Sequence, residues 1–317
     1  ENDTLTTDCI IISDENITFN GNGYFIKSED NFTGVFSNSF NTTVKNCNIS
    51  MGSDADVGAM GIEMGDNADN SSLINNIIIG EMDYGIKFGY LNNGPDYSLI
   101  QDNYINVSSI NANDTYLGTP GIYFRGATHN TLINNTAITL SERGIYFYIG
   151  SNNNTLINNT GISVASSGIY LYRSCVANTF INNTGISNST GGIYIQRNTD
   201  NNIFIDNLGI SNFAAGIILR RASYNNTLTN NTGISNSGPG IVVEYVSERN
   251  TLINNTGISN SSYGFQMGYL SYNNTYINNT GISNHSYGVY FTEASNNTIK
   301  NMRAEGRLEG SYGIYIN

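Results

Sequence analysis

The stretch NTLINNTGIS occupies residues 154–163 and recurs unchanged at residues 250–259. Near-copies of it begin every 24 residues, at Asn130, Asn154, Asn178, Asn202, Asn226, Asn250 and Asn274. A second marker, glycine followed by a β-forming residue, has the same step and falls at Gly144, Gly168, Gly192, Gly216, Gly240, Gly264 and Gly288. A period of this length is typical of stacked units that cannot bury an apolar face alone. The sequence therefore predicts a repeat protein of about twelve coils.

The composition favours β structure. The 317 residues include 34 Gly, 3 Pro and no Trp, and only 12% of them are charged. Asn, Thr, Ser, Ile and Tyr abound, helix formers are scarce, and no long apolar stripe recurs every 3.6 residues. Strands are predicted around the TLI, GIS and GIY segments of each coil, with turn residues between them. The predicted fold class is all-β: a parallel β-solenoid, or single-stranded parallel β-helix, with three short strands per coil of about 24 residues.

An unbroken repeat argues for one domain over residues 1–317. Within it we expect N-terminal capping coils at 1–50, irregular acidic coils at 51–120 and regular 24-residue repeats at 121–317. The spacing from Gly85 to Gly121 is 36 residues rather than 24, which predicts a loop insertion at 108–120.

Equivalent positions in successive coils predict which side chains face inward. The third residue of the NTL segment is never charged and is predicted to be core; it is Val44, Leu73, Leu99, Leu132, Leu156, Phe180, Phe204, Leu228, Leu252, Tyr276 and Ile299. The next position is mostly Ile and is predicted to form an exposed ladder, because strand side chains alternate. An outward row of tyrosines is predicted at Tyr123, Tyr146, Tyr170, Tyr194, Tyr290 and Tyr315. An internal asparagine ladder is predicted from the second Asn of each pair, at Asn135, Asn159, Asn183, Asn231, Asn255 and Asn279.

The charge is strongly acidic and uneven. The net charge is −12 and the sequence pI about 4.4, which disfavours sequence-independent binding of nucleic acid. Residues 1–115 contain 17 acidic side chains against Lys27, Lys45 and Lys87. No stretch approaches the ~20 apolar residues of a membrane span, so none is predicted.

The cysteines and the acidic turns are the candidates for a cross-link and for a bound ion. Cys9 and Cys47 could form a disulfide between neighbouring coils or remain two separate thiols, and Cys175 is interpreted as a small turn residue. No catalytic metal or other cofactor is predicted. Oxygen-rich turns at 53–58 and 65–70 could bind Ca²⁺, although they do not match the spacing of a known calcium loop.

An enzymatic role needs residues that the regular repeats largely lack. Cleavage of a polysaccharide requires two carboxylates beside the scissile bond, or a Ca²⁺ site with a basic residue for a lyase. Between Gly121 and Gly288 there are only five acidic residues, at different positions of the coil. The 108–120 loop, with Asp114 in it and Asp102 near it, is the one candidate enzyme site; the alternative is a solvated acidic loop.

The outward tyrosines suggest binding instead. Tyr123, Tyr146, Tyr170, Tyr194 and Tyr290, with Arg125, could form a face that stacks on sugar rings or on a neighbouring molecule. The alternative is that Tyr is simply a favourable residue on a strand surface.

The repeat NNTLINNTGISNS, followed by GIY, resembles that of the right-handed parallel β-helix family, which includes NosD-like, carbohydrate-binding and sugar-hydrolase solenoids. The segments IIISDENITFNGNGYFI (10–26) and NTTVKNCNIS (41–50) are similar to the first coils of that family. The resemblance is strongest to archaeal cell-surface members and implies a right-handed β-helix. It implies little about function, because the fold hosts lyases, hydrolases, adhesins and structural proteins.

The last predicted strand and the glycosylation sequons complete the functional interpretation. We expect the segment GSYGIYIN (310–317) to dock head-to-tail on another copy, with side-to-side association as the other mode. N-glycosylation is predicted at Asn16, Asn31, Asn106, Asn134, Asn158, Asn182, Asn230, Asn254 and Asn278. The predicted role is a non-enzymatic, extracellular structural or adhesive cell-surface protein, glycosylated and part of a filament, sheath or surface layer. The alternative is a polysaccharide-binding or polysaccharide-cleaving β-helix with a glycan ligand near the 108–120 loop.

Overall fold

The computed structural model describes residues 8–52, 58–90, 93–108, 120–307 and 313–316. The chain is all-β and folds as a parallel β-solenoid of about twelve turns with three sheets, which confirms the predicted fold class. Its residues pack into two compact units, unit 1 (Glu1–Ser163) and unit 2 (Val164–Asn317).

Unit 1 contains six coils, and each contributes one strand to each sheet. In sheet 1 the strands are β1 (Ile10–Ile12), β4 (Thr33–Ser37), β7 (Met60–Met64), β10 (Tyr84–Phe88), β13 (Ile122–Arg125) and β16 (Ile145–Tyr148). In sheet 2 they are β2 (Thr18–Asn20), β5 (Thr43–Lys45), β8 (Ser72–Ile74), β11 (Leu99–Gln101), β14 (Thr131–Ile133) and β17 (Thr155–Ile157). In sheet 3 they are β3 (Phe25–Ser28), β6 (Asn48–Met51), β9 (Ile77–Glu81), β12 (Tyr104–Ser108), β15 (Thr136–Thr139) and β18 (Thr160–Ser163).

Unit 2 repeats this order. Sheet 1 contains β19 (Ile169–Tyr172), β22 (Ile193–Gln196), β25 (Ile217–Arg220), β28 (Ile241–Glu244), β31 (Phe265–Gly268), β34 (Val289–Thr292) and β37 (Ile314–Ile316). Sheet 2 contains β20 (Thr179–Ile181), β23 (Ile203–Ile205), β26 (Thr227–Thr229), β29 (Thr251–Ile253), β32 (Thr275–Ile277) and β35 (Thr298–Lys300). Sheet 3 contains β21 (Thr184–Ser187), β24 (Leu208–Ser211), β27 (Thr232–Ser235), β30 (Thr256–Ser259), β33 (Thr280–Ser283) and β36 (Arg303–Gly306).

The core follows the predicted positions with two corrections. Leu132, Leu228 and their equivalents are buried, but Leu99 is only half-buried, and Ile100 pairs with Leu132 inside the coil. Ile299 is 42% exposed, because within the described ranges β35 pairs only with β32. The predicted outward Ile positions, such as Ile133 and its equivalents, are half-buried rather than fully exposed.

Two asparagine ladders run inside the coils. The predicted ladder is confirmed, since Asn135 donates to Asn159 at 2.9 Å in unit 1 and Asn231 donates to Asn255 at 3.0 Å in unit 2. A second ladder, which was not predicted, is formed by the first Asn of the repeat, and in it Asn202 donates to Asn226 at 3.0 Å. Both ladders satisfy buried backbone groups at the bends, where a β-ladder alone cannot.

Candidate functional site

The charged and aromatic side chains that could form a binding site lie mainly on the outer face of sheet 1. Because strand residues alternate, one residue per strand forms an outward row on this face. The row in unit 1 is Phe36, Glu63, Lys87, Tyr123 and Tyr146. The row in unit 2 is Tyr170, Tyr194, Ile218, Val242, Gln266, Tyr290 and Tyr315. The sheet thus presents charge and aromatic rings in unit 1, and aromatic and apolar groups in unit 2.

An ion pair lies in this row in unit 1. The Lys87 ammonium is 2.7 Å from a carboxylate oxygen of Glu63, and both side chains are largely shielded from water. Lys87 also lies over two aromatic rings, at 5.4 Å from the centroid of Tyr84 and 4.7 Å from that of Tyr90. A cation between a carboxylate and two rings is held in position, since it is attracted to each of these partners.

A pocket of about 340 Å³ opens beside this pair. Its walls are Phe36, Asn38, Glu63, Gly65, Asp66, Asn67 and Tyr90. Hydrogen bonds between coils hold the walls: the backbone N–H of Tyr90 donates to Asp66 at 2.8 Å, and that of Asn67 donates to Asn38 at 2.9 Å. Tyr90 is 62% exposed, so its ring is available at the rim. The pocket therefore combines an aromatic wall with several fixed oxygen atoms.

The tyrosine row differs from the prediction. Tyr123 and Tyr146 point away from the core but are only 4% and 9% exposed. Their rings contact each other at 5.4 Å, and Arg143 lies 4.9 Å from the ring of Tyr146. Burial, reinforced by Tyr84, raises the pKa of the Tyr123 hydroxyl above its ordinary value. These rings serve as packing and cannot offer an open stacking surface, which corrects that part of the prediction.

The remaining residues of the predicted face lie close to this cluster or in unit 2. The Arg125 guanidinium lies 5.6 Å from the ring of Tyr148. Tyr170 is 5% exposed, whereas Tyr194 and Tyr290 are half-buried. Tyr290 stacks on Tyr263 at 4.3 Å and on Tyr315 at 5.4 Å.

A second ion pair lies on the same sheet in unit 2. Arg220 Nε and Glu244 Oε1 are 2.9 Å apart, although the N–H is not directed at that oxygen. Burial raises the pKa of Glu244, and the neighbouring Arg220 and Arg221 act in the opposite direction. Next to the pair, Ala215, Ile218 and Val242 form an apolar patch.

The described residues do not provide a metal centre. In the described ranges, no group of three or more His, Cys, Asp or Glu side chains comes together as a ligand set. Of the two predicted Ca²⁺ turns, residues 53–57 lie outside the described residues, and in the other Asp66 and Asp69 accept backbone N–H groups. Cys9 and Cys47 are free thiols, the first half-buried and the second buried, which excludes the disulfide alternative, and Cys175 is a third free thiol, buried between strands.

Residues 109–119 of the predicted loop site, including Asp114, lie outside the described residues. Asp102 is described and accepts a hydrogen bond from Asn134 at 3.1 Å. Within the described ranges, the structure contains no helix that is long and apolar enough to cross a bilayer.

The sequons lie at accessible positions. Eight of the predicted acceptors are exposed, namely Asn16, Asn106, Asn134, Asn158, Asn182, Asn230, Asn254 and Asn278, and Asn31 is half-buried. Several adopt the left-handed conformation, for example Asn230 at φ 58°. Their glycosylation stays a prediction.

The pocket was missed at the sequence level, although a signal was present. Glu63 and Lys87 are 24 residues apart, which is one coil, and they have opposite charges. The 24-residue period that predicts the asparagine ladder also predicts this pair when it is applied to charged residues.

Comparison with known proteins supports the fold. A family model described as "Periplasmic copper-binding protein (NosD)" matches residues 162–317. No curated protein matches the chain. That description names copper, and the described residues bring together no group of three or more His, Cys, Asp or Glu side chains.

Several solved structures share the architecture at low sequence identity. The Azotobacter vinelandii mannuronan C-5 epimerase AlgE6 A-module has a TM-score of 0.56 at 12% identity, covering 90% of each chain. The periplasmic alginate epimerase AlgG has a TM-score of 0.54 at 14% identity, covering 99% of this chain and 80% of that chain. The catalytic domain of a GH87 alpha-1,3-glucanase has a TM-score of 0.52 at 12% identity, covering 97% of this chain and 63% of that chain. At these identities, the likeness shows the fold alone.

Proposed function

We infer that this chain, which has a parallel β-helix fold, is a polysaccharide-binding protein whose pocket in unit 1 holds a sugar residue. The observation that carries the proposal is the pocket formed by Tyr90, Phe36, Glu63 and Asp66. Its volume of about 340 Å³ falls at the lower end of the range for small-molecule sites.

The pocket chemistry suits a sugar ring. An aromatic face packs against the C–H groups of a pyranose, while carboxylate and amide oxygens accept hydrogen bonds from its hydroxyls. Tyr90 supplies the ring, and Asp66 and Asn38 supply acceptors already held by hydrogen bonds between coils. Such preorganisation lowers the entropic cost of binding.

The comparisons agree with this class of ligand. The similar structures include epimerases that act on alginate and mannuronan, and a glucanase. The matching family model and the alginate epimerase are both described as periplasmic proteins. We therefore also propose that this chain lies outside the cytoplasm. The filament, sheath or surface-layer role and the self-association stay predictions.

A binding experiment tests the pocket. In calorimetry with oligosaccharides chosen from a polysaccharide panel, we expect Tyr90→Ala to weaken binding about tenfold, equivalent to ~1.4 kcal/mol, because the stacking surface is lost. Tyr90→Phe should retain most of the affinity, since the ring remains. Tyr24→Ala is the matched control, because Tyr24 is 77% exposed in unit 1 and lies outside the pocket walls. Absence of binding to every glycan, or equal affinities for Tyr90→Ala and Tyr24→Ala, would refute the proposal.

One observation favours cleavage as a second candidate function. Glu63 and Asp66 line the same pocket, and hydrolysis of a glycosidic bond uses two carboxylates. Glu63 is bound by Lys87, and Asp66 accepts the Tyr90 N–H, so both would act from fixed positions. The same incubations, analysed for released oligosaccharides, distinguish cleavage from binding alone.

A further inference from the structure

A column of arginines lies at one corner of unit 2, in the turn that follows each sheet 1 strand. Arg173, Arg197 and Arg221 are 24 residues apart and occupy the same position in three successive coils. The backbone N–H of Arg197 donates to the carbonyl of Arg221 at 2.9 Å, which places these two residues in direct register. All three side chains are exposed. Tyr245 and Tyr269 continue the column over the next two coils.

The backbone of this corner is in a conformation that disfavours large side chains. The φ angles of Arg173, Arg197 and Arg221 are 62°, 61° and 56°, in the left-handed region usually taken by Gly or Asn. Exposed arginines gain no core packing in return for this strain. The same left-handed conformation recurs at the equivalent Tyr245 and Tyr269, so it belongs to the bend of each coil and not to the arginines alone.

The guanidinium groups are arranged for an external partner. The guanidiniums of Arg173 and Arg197 each lie 5.2 Å from the centroid of the Tyr172 ring, which contacts both. Among the described residues, Arg197 and Arg221 form no ion pair within 4 Å, whereas the adjacent Arg220 is paired with Glu244. The like charges of Arg197 and Arg221 in adjacent coils repel each other, and a bound anionic chain would relieve that repulsion.

The two tyrosines extend the column with an aromatic surface. Their rings are 4.9 Å apart and nearly parallel, at 6°, and Tyr245 and Tyr269 are 38% and 42% exposed. Unlike the rings of the sheet 1 row, these rings are accessible at a corner. They offer stacking surface to a sugar that follows the arginines.

The spacing distinguishes between two kinds of polyanion. Neighbouring coils are about 4.8 Å apart, which is close to the length of one residue in an extended pyranose chain. Phosphates on one strand of a B-form duplex rise about 3.4 Å each along the helix axis and wind around it, so they would fall out of step with a straight column. Local charge also permits anion binding, since residues 164–317 contain eight basic and seven acidic side chains, whereas residues 1–163 contain five and 18.

We propose that the corner strip, formed by Arg173, Arg197, Arg221, Tyr245 and Tyr269, binds a linear acidic polysaccharide with one carboxylate or sulfate per coil. This site shares no residue with the unit 1 pocket and stands independently of it. The guanidiniums bind the anionic groups, and the tyrosines stack on the following sugar rings.

Binding of the full chain to polygalacturonate, with uncharged dextran for comparison, tests the strip. The main variant replaces Arg173, Arg197 and Arg221 by Asn, which removes the charge and suits the left-handed backbone, so it should fold at least as well as the wild type. We expect it to bind polygalacturonate at least tenfold more weakly at low salt, with a shallower dependence of affinity on salt. Arg303→Asn combined with Arg307→Asn is the matched control in unit 2 and should leave binding unchanged.

Further measurements distinguish binding at the corner strip from binding in the unit 1 pocket, and compare polygalacturonate with another polyanion. Tyr90→Ala should bind polygalacturonate like the wild type, so loss of pocket function leaves this result intact. The proposal fails if the wild type prefers dextran or binds both polymers equally. It also fails if the triple variant retains wild-type affinity for polygalacturonate, or if duplex DNA binds more tightly than polygalacturonate.

Discussion

At the residue scale, the buried asparagines hold the bends of each coil together. The side-chain N–H₂ of Asn231 donates to Asn255 at 3.0 Å and to the carbonyl of Phe204 at 2.9 Å. Its side-chain oxygen accepts from both the backbone and the side chain of Asn207, at 2.9 Å each. One side chain therefore satisfies polar groups in three coils, away from water.

Replacing this residue should be costly. We expect Asn231→Ala to lower the free energy of unfolding by about 3 kcal/mol, because buried donors and acceptors of the neighbouring coils lose their partners. Asn236→Ala is the matched control: Asn236 is exposed and donates to Asn212 at 3.1 Å in an outer ladder, where water can replace the lost bond. Urea denaturation followed by circular dichroism measures both. Equal losses for the two variants would contradict the structural role given to the inner ladder.

At the element scale, the coil can close because glycines let strands of sheets 1 and 3 approach closely. A Cβ on Gly233, in β27, would lie 2.2 Å from the carbonyl oxygen of Gly240, just before β28. We expect Gly233→Ala to lower the free energy of unfolding by about 2–3 kcal/mol, since backbone cannot move aside as a side chain can. Gly150→Asn is the control, because its Cβ meets nothing within 4 Å and Asn suits its φ of 72°. Unchanged urea midpoints for Gly233→Ala would disprove this close contact.

The strands could be predicted from the sequence wherever the 24-residue period is exact. From residue 121 onward the 24-residue repeat identified the strands, the core positions and one asparagine ladder. The assignment of Leu99 was wrong because the repeat is irregular there; counting back from Asn103, which pairs with Asn135, gives Ile100 instead. Alternation predicted the direction of the tyrosines but not their burial, since Tyr123 and Tyr146 cover each other across coils. The pocket depends on turn residues such as Asp66 and Tyr90. The alternation of side chains along a strand does not predict where the side chains of turn residues lie.

At the scale of the whole molecule, charge distinguishes the two units. Unit 1 contains 18 acidic and five basic side chains, whereas unit 2 contains seven acidic and eight basic ones. Repulsion among the acidic groups opposes folding of unit 1, and dissolved salt screens it, because the Debye length falls from about 10 Å at 0.1 M to about 3 Å at 1 M. Salt should therefore stabilise unit 1 more than unit 2.

Hydrogen exchange read by mass spectrometry can measure the two units in one sample. Between low salt and about 1 M sodium chloride, we expect amide protection to increase in β4, β7 and β10 of unit 1, and to change much less in β25, β28 and β31 of unit 2. Asp14→Asn combined with Glu15→Gln removes two exposed acidic groups of unit 1 and should reduce that increase, because less repulsion remains to be screened. Asp206→Asn is the control in unit 2 and should leave the unit 1 response unchanged. Equal gains in both units would mean that salt acts through burial of apolar surface, which the two units share, rather than through their different charge.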